Sequence, residues 1–169
     1  MDNTFLDVLV ECPTKAIAKI GKDKDVAALL LDKANVDMTS DEADDIFDKY
    51  IFDYGYVDGS TSEAKAFICV EAETGGRSTP AVRGFRLYVT IICHKNYMKI
   101  DPRKLPGMVG NRRDNLTRIV DNILNGADLC GIGALILDSV KTVASPTGFA
   151  ARELTYRLCD FNAPGARGL

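Results

Sequence analysis

The side chains able to do chemistry are few and scattered. His94 is the single histidine of the chain. An imidazole can serve as a general base, but it needs an orienting carboxylate and a nucleophile within reach. The local run His94-Lys95-Asn96-Tyr97 supplies neither. One histidine cannot build a histidine metal cluster, and the carboxylates lack the D-x-D-x-D-G spacing of a calcium loop. The plainer expectation for His94 is a strand-end histidine satisfied by hydrogen bonds.

The cysteines are Cys12, Cys69, Cys93, Cys130 and Cys159. Their odd number and wide spacing make no disulfide framework, and no C-x-x-C pair suggests zinc or redox work. Cys69, Cys93 and Cys159 stand among apolar or β-type residues and read as small buried hydrophobes in a reducing compartment. Two glycine pairs fail on context. Gly131 and Gly133 stand before a strand, and Gly107-Met108-Val109-Gly110 lacks the following Lys-Ser/Thr of a phosphate loop. The helix start beyond Gly110 carries Arg112 and Arg113, where an anion could bind; two arginines exposed at a helix start are the simpler reading. The expectation is a chain without catalytic residues, cofactor or metal.

Charge is better organised than chemistry. The net charge of −3 argues against general nucleic-acid binding, which usually shows a basic surplus. Yet Asp37, Asp41, Glu42, Asp44, Asp45, Asp48, Asp53 and Asp58 face a single Lys49 in one segment. Lys95, Lys99, Arg103, Lys104, Arg112, Arg113 and Arg118 outnumber Asp101 and Asp114 in another. The two blocks could meet across a subunit boundary, or each could be a solvated face. The candidate contact residues are Asp41, Asp44, Asp45, Asp48, Lys99, Arg103, Lys104, Arg112, Arg113 and Arg118.

Certain elements must position these residues. The length suits one domain with a sizeable core. Phe5 to Glu11 can begin a helix, with Pro13 as its interruption, and the type of Val26 to Leu31 is left open by its short apolar run. Ser40 can cap a helix in which Ala43, Ile46, Phe47 and Tyr50 recur at helical spacing. From Ala64 to Glu73 the period changes to two, so Ala66, Ile68 and Val70 share a face opposite Phe67 and Cys69. Thr74 to Pro80 reads as a flexible connection. Phe85 to Lys95 is a central strand, with Phe85, Leu87, Val89, Ile91 and Cys93 on one face. Asn96 to Gly110 reads as a basic loop; Asn111 then caps a helix from Arg112 to Leu124 with a buried stripe, stopped by Asn125-Gly126. Gly133 to Val143 places Leu135 and Leu137 on one side and Val140 on the other, and pairs with Phe149 to Phe161 as a hairpin.

The predicted class is α+β: a four-stranded, mostly antiparallel sheet with helices packed on one face. Residues 1–62 form a helical, acidic segment on the same domain, 63–162 the α+β core and 163–169 a flexible tail. No apolar run approaches the ~20 residues that span a bilayer, and Met1-Asp2-Asn3 lacks a signal-peptide start. No membrane partner is expected.

From about Phe85 to Asn162 the chain resembles phage tail-terminator (tail-completion) proteins of the neck. The resemblance lies in the strand Tyr88-Val89-Thr90-Ile91-Ile92-Cys93-His94-Lys95 and the helix Arg112-Arg113-Asp114-Asn115-Leu116-Thr117-Arg118-Ile119-Val120-Asp121. It continues through Leu124-Asn125-Gly126 to Leu154-Thr155-Tyr156-Arg157-Leu158-Cys159-Asp160-Phe161-Asn162. It implies a homo-oligomeric, hexameric ring in the virion, assembled in the host cytoplasm. Such a ring terminates the tail tube and meets tail-tube, sheath and head-connector proteins, with non-specific contact to packaged DNA. The family offers no catalytic residues to carry over. Two other classes stay open at this level: a cytoplasmic adaptor or regulatory binding domain, and an enzyme centred on His94 and the Gly75–Pro80 loop.

Overall fold

The computed structural model describes residues 5–55, 63–79, 82–131 and 133–158. The expected flexible tail at 163–169, the last residues of the final strand, Cys159 and Asp58 lie outside the described residues. Three helices come first: α1 (Phe5–Gly21), α2 (Lys24–Leu31) and α3 (Asp41–Lys49). Strands β1 (Ile51–Phe52), β2 (Ala66–Thr79) and β3 (Val82–His94) come next, then a 3₁₀ turn at Lys95–Tyr97. Helix α4 (Arg112–Leu124) and strands β4 (Leu135–Val143) and β5 (Phe149–Leu158) complete the order.

The α+β class holds, but among the described residues the sheet has five strands, in the order β1-β2-β3-β5-β4. The extra strand is β1, which pairs parallel to β2 through Ile51 and Phe52; all other pairs are antiparallel. Two residues show no period, so nothing local announces such a strand.

Helix α1 runs through Pro13 without the expected break. Proline there forfeits one backbone hydrogen bond and costs roughly 3 kcal/mol. Against that cost, Val8, Cys12, Ala16 and Ile20 recur every fourth residue and are all buried. Burial of that stripe, with α1 lying on β2, outweighs the local penalty. Helix α2 resolves the open reading of Val26 to Leu31. Its residues Val26, Ala27, Ala28, Leu29 and Leu30 are all buried because α1, α3 and α4 surround it. A helix buried all round carries no amphipathic signal. Asp23 caps it, accepting from the backbone N–H groups of Asp25 (2.9 Å) and Val26 (3.0 Å). Ser40 does stand at the start of α3, but its hydroxyl donates to the Asp37 carbonyl instead of capping the helix.

The sheet has two apolar faces. Ile68, Val70, Leu87, Val89, Ile91, Cys93, Leu154 and Tyr156 belong to the main core beneath the helices. Phe67, Cys69, Ile92, Phe149 and Ala151 form a smaller cluster on the other face, with Phe52 and Val143 against it. The predicted alternation of β2 and β3 therefore holds residue by residue. Two expectations about the strands do not. The connection placed at Thr74 to Pro80 is strand as far as Thr79: Gly75 pairs with Gly84 and Thr79 with Val82. Strand β3 meets β5 only from Arg86 onward, so this hairpin reaches beyond the rest of the sheet. In β4, Leu137 pairs with Tyr156 and Ser139 with Thr155, leaving Asp138 as a bulge. One extra residue inverts the alternation. Val140 thereby joins the face of Leu137, opposite to the expectation, and stays half-exposed on the edge strand.

Helix α4 is as expected at both ends. The Asn111 side chain accepts from the Asp114 N–H (2.8 Å), and its amide donates to the Asp114 carboxylate (2.7 Å). Gly126 takes a left-handed φ of 82° just past the C-cap Asn125. Leu116, Val120 and Leu124 are fully buried, and the buried Tyr156 donates from its hydroxyl to Asp121 (3.2 Å), tying β5 to the helix. Asn111→Ala should lower unfolding free energy by about 1 kcal/mol through loss of the cap. Urea denaturation followed by circular dichroism would measure it, and an unchanged midpoint would refute the capping role.

Candidate subunit-contact surfaces

The basic segment is organised by one side chain that does not lie on the surface at all. Arg112, the first residue of α4, is 1% exposed. Its Nε donates to the Tyr97 carbonyl (2.8 Å), Nη1 to the Leu29 carbonyl and Nη2 to Asp32 (2.5 Å). The guanidinium also stacks on the Tyr97 ring, 3.9 Å from its centroid. Tyr97 in turn donates its hydroxyl to the Leu30 carbonyl (2.9 Å). Leu29 and Leu30 stand in the last turn of α2, where carbonyls have no partner within the helix. A cation at a helix C-terminus satisfies those carbonyls and opposes the negative end of the helix dipole. Asp32, left-handed at φ 56° as the C-cap of α2, brings the countercharge.

Asp32 also accepts from Lys104 (2.5 Å). Partial burial works to raise its pKa, but hydrogen bonds from Lys104 and Arg112 and their charges outweigh it and hold the carboxyl below its ordinary range. Burial pushes the Tyr97 phenol the other way, up to about 12. The segment between Met98 and Asn111 is therefore held at several points. Lys99 and Asn111 form a β-bridge, Arg112 N–H donates to the Met98 carbonyl (2.8 Å), and Lys104 reaches Asp32. Arg103 closes back on Asp101 (3.2 Å).

These contacts sort the predicted basic residues. Arg112, expected on the surface, is an internal strut and cannot face a neighbour without leaving its site. Lys104 is exposed along its stem but tied to Asp32. Arg113 is mostly buried and shares Asp114 with Arg152 (3.1 and 2.7 Å). Lys99, Arg103 and Arg118 are exposed, and among the described residues Arg118 has no ion-pair partner. Beside them stands Val109, 87% exposed between Gly107 and Gly110, both at positive φ. Charge counting alone offers no reason to single out this apolar tip on a basic loop.

The acidic residues lie elsewhere. Asp41, Asp44 and Asp45 are exposed on α3, with Asp45 paired to Lys49 (2.5 Å); nothing is described for the Asp48 side chain. Thr39 donates from both its N–H and its hydroxyl to Asp37, lowering that carboxyl's pKa. Next to α3 a cleft of about 410 Å³ opens between α1 and β1. Thr14 and Ile17 line it from α1, Phe47 from α3, and Ile51, Phe52, Asp53 and Tyr54 from β1 and beyond. Tyr54 is half-exposed, and Val10, on the same face of α1 as Thr14 and Ile17, is exposed. The lining comes from three elements, so no contiguous sequence signal could have revealed it.

Helix α3 lies at the β1 edge, while α4 packs over β3 and β5. Among the described residues no ion pair joins the acidic and basic segments within the chain. His94 stands apart from both. Its Nδ1 accepts from the Asn96 N–H (3.2 Å), and its ring meets Phe149 edge-on at 4.9 Å. It does the capping work of a strand-end histidine. Among the described residues no cluster of His, Cys, Asp or Glu is arranged to hold a metal, and no helix is long and apolar enough to cross a membrane.

This five-stranded α+β scaffold with two distinct charged surfaces matches the YomW family model over residues 23–158. The chain belongs to the YomW family, a phage-type family, and the resemblance to phage structural proteins stands at that level. No curated protein matches it. Among solved structures it is similar in fold to a chain of the virion of a native gene transfer agent (GTA) particle. That likeness has a TM-score of 0.51 at 13% identity, covering 89% of this chain and 95% of the other.

The Arg112 network predicts its own energetics. Arg112→Ala leaves the Leu29 and Tyr97 carbonyls without their donor and Asp32 with Lys104 alone, and should cost about 2–3 kcal/mol in denaturant unfolding. Asp32→Asn should be less stable than wild type above the ordinary aspartate pKa of 3.8, where the folded carboxylate keeps its advantage. That difference should shrink as the pH falls below 3.8 towards the lower folded value. A gap that does not change with pH would refute the assignment.

Proposed function

We propose that this chain is a structural subunit of a phage-type virion, working in the neck as a ring that terminates the tail tube and joins it to the head connector. The observation that carries the reading is the nearly end-to-end fold likeness to a chain of a GTA virion. Membership of a phage-type family supports it.

A closed ring needs head-to-tail contacts, in which two different patches on each subunit meet. The two surfaces suit that requirement. One is acidic, with Asp41, Asp44 and Asp45 beside a cleft of mixed lining, where Ile17, Phe47 and Phe52 stand with Thr14, Asp53 and Tyr54. The other is basic, with Lys99, Arg103 and Arg118 near the exposed Val109. In the proposed ring the Val109 tip of one subunit enters the cleft of the next, and the flanking charges set the register. Arg112 braces this loop from inside, and Lys104 ties it to Asp32. The ring is taken as hexameric by analogy with tail terminators; tail-tube, sheath and head-connector proteins would stack on its two faces. The exposed cations would also serve non-specific phosphate contact with packaged DNA.

Sedimentation velocity and negative-stain imaging of the purified chain test this reading. The expected result is a ring that loosens as salt rises, because exposed charge pairs are screened. Val109→Glu should weaken assembly by about tenfold or more, equivalent to about 1.4 kcal/mol, with an unchanged circular dichroism spectrum. A wild-type chain that stays monomeric at every concentration and never enters tails would overturn the neck role. A ring indifferent to Val109→Glu would overturn only the proposed contact.

A further inference from the structure

Asn125-Gly126 is the single Asn-Gly step of the chain, and both residues are exposed where α4 gives way to the connection towards β4. Asparagine is a thermolabile residue. Before glycine it is most so, because no Cβ shields the following backbone nitrogen from the side-chain carbonyl carbon. Exposure alone would make this a reactive step. The fold reverses that expectation, because both reacting groups are engaged elsewhere. The Gly126 N–H donates to the Leu135 carbonyl (2.7 Å), and the Asn125 side-chain carbonyl accepts from the Leu137 N–H (3.2 Å). Around them, Leu135 N–H donates to the Ala127 carbonyl (2.9 Å) and Asn125 N–H to the Asp121 carbonyl (2.8 Å). Asn125 is held at φ −66° and ψ 122°. That extended conformation turns the Gly126 nitrogen away from the Asn125 Cβ, whereas a five-membered ring needs the two eclipsed. The backbone must rotate, and the Gly126 bond to Leu135 must break, before the ring can close.

We propose that Asn125 is a latent deamidation site, kept unreacted by the clasp between the end of α4 and the start of β4, and released when that clasp opens. In the opened connection the Gly126 nitrogen loses its proton to base and attacks the Asn125 Cγ. The new N–C bond closes a succinimide, and the side-chain nitrogen takes a proton from solvent and leaves as ammonia. Water then adds to either ring carbonyl and breaks that carbon's bond to nitrogen, giving aspartate or isoaspartate. One water is taken up and one ammonia released; nothing is oxidised or reduced.

The product fits the clasp less well than asparagine does. A carboxylate at the C-cap of α4 stands at the negative end of the helix dipole. Asp121, four residues earlier, adds a like charge on the same side of the helix while it accepts from the buried Tyr156 hydroxyl. Isoaspartate also lengthens the main chain by one carbon, which moves Gly126 out of register with Leu135. Each opening that runs to completion therefore leaves a weaker clasp, and the change is not reversed by refolding. The modification records how often the α4–β4 connection has opened. It needs no second copy of the chain and does not rest on the ring.

The full chain incubated at mildly alkaline pH, once folded and once in guanidinium chloride, provides the test. Intact mass and peptide mapping are read with time. In the unfolded chain Asn125 should react first among the asparagines, gaining the mass difference between a hydroxyl and an amino group. The folded chain should react at least about tenfold more slowly, the factor that about 1.4 kcal/mol of local opening imposes. Gly126→Ala, followed in guanidinium chloride where its fold is irrelevant, should lose most of the reaction because a Cβ hinders the nitrogen. The deamidated fraction, separated by its extra negative charge, should have a lower Tm than the untreated chain. Equal rates in the folded and unfolded chains, a first product at another asparagine, or an undiminished rate in Gly126→Ala would overturn the proposal. An unchanged Tm in the deamidated fraction would overturn the weakening of the clasp.

Discussion

The buried guanidinium of Arg112 holds together three parts of the chain that lie far apart in sequence. It reaches the C-terminus of α2 at Leu29, the countercharge at Asp32, and the 3₁₀ turn at Tyr97. A lysine could not replace it, because a single ammonium lacks the planar fork that satisfies three acceptors in different directions while stacking on a ring. Removing such a charge from water is costly unless its donors are paired. Here each of Nε, Nη1 and Nη2 has an acceptor, and α2 ends with its carbonyls capped. The cost of burial is thereby converted into a fixed geometry for the chain beyond Tyr97.

That stretch of chain is the loop carrying the exposed basic surface. With Met98 and Asn111 anchored beside Arg112 and Lys104 tied to Asp32, the loop presents Val109 from a braced base. The cations of this segment divide into two kinds. Arg112 and Arg113 are spent inside the subunit, whereas Lys99, Arg103 and Arg118 meet solvent. A block of like charges in a sequence is thus not one surface. Part of it builds the support, and only the remainder is available to a partner.

The sheet imposes a second constraint. Its central strand β3 is covered on one side by the helices and carries a smaller aromatic cluster on the other, linked through Phe52, Phe67 and Phe149. Helix α3 and the neighbouring cleft belong to the β1 edge, while α4 belongs to β3 and β5. This separation keeps opposite charges from neutralising each other within one chain. In the proposed ring, that separation would leave one surface of each kind for the neighbouring copies.

Local chemistry determined a good part of this protein from the sequence alone. Asn111 and Gly126 bound α4 because capping and left-handed turns depend on adjacent residues. The two faces of β2 and β3 arise from a period of two that the strands obey along their paired length. Tertiary structure decided the rest. Helix α1 passes Pro13 because β2 rewards its buried stripe, and α2 is a helix because three neighbours enclose it. Asp138 shifts the phase of β4 only in relation to β5, and β1 exists only beside β2. Arg112 reads as a surface charge until Asp32, Leu29 and Tyr97 are brought to it from distant positions. Short-range patterns record what a residue prefers among its neighbours in the chain; burial and pairing depend on neighbours that only folding supplies.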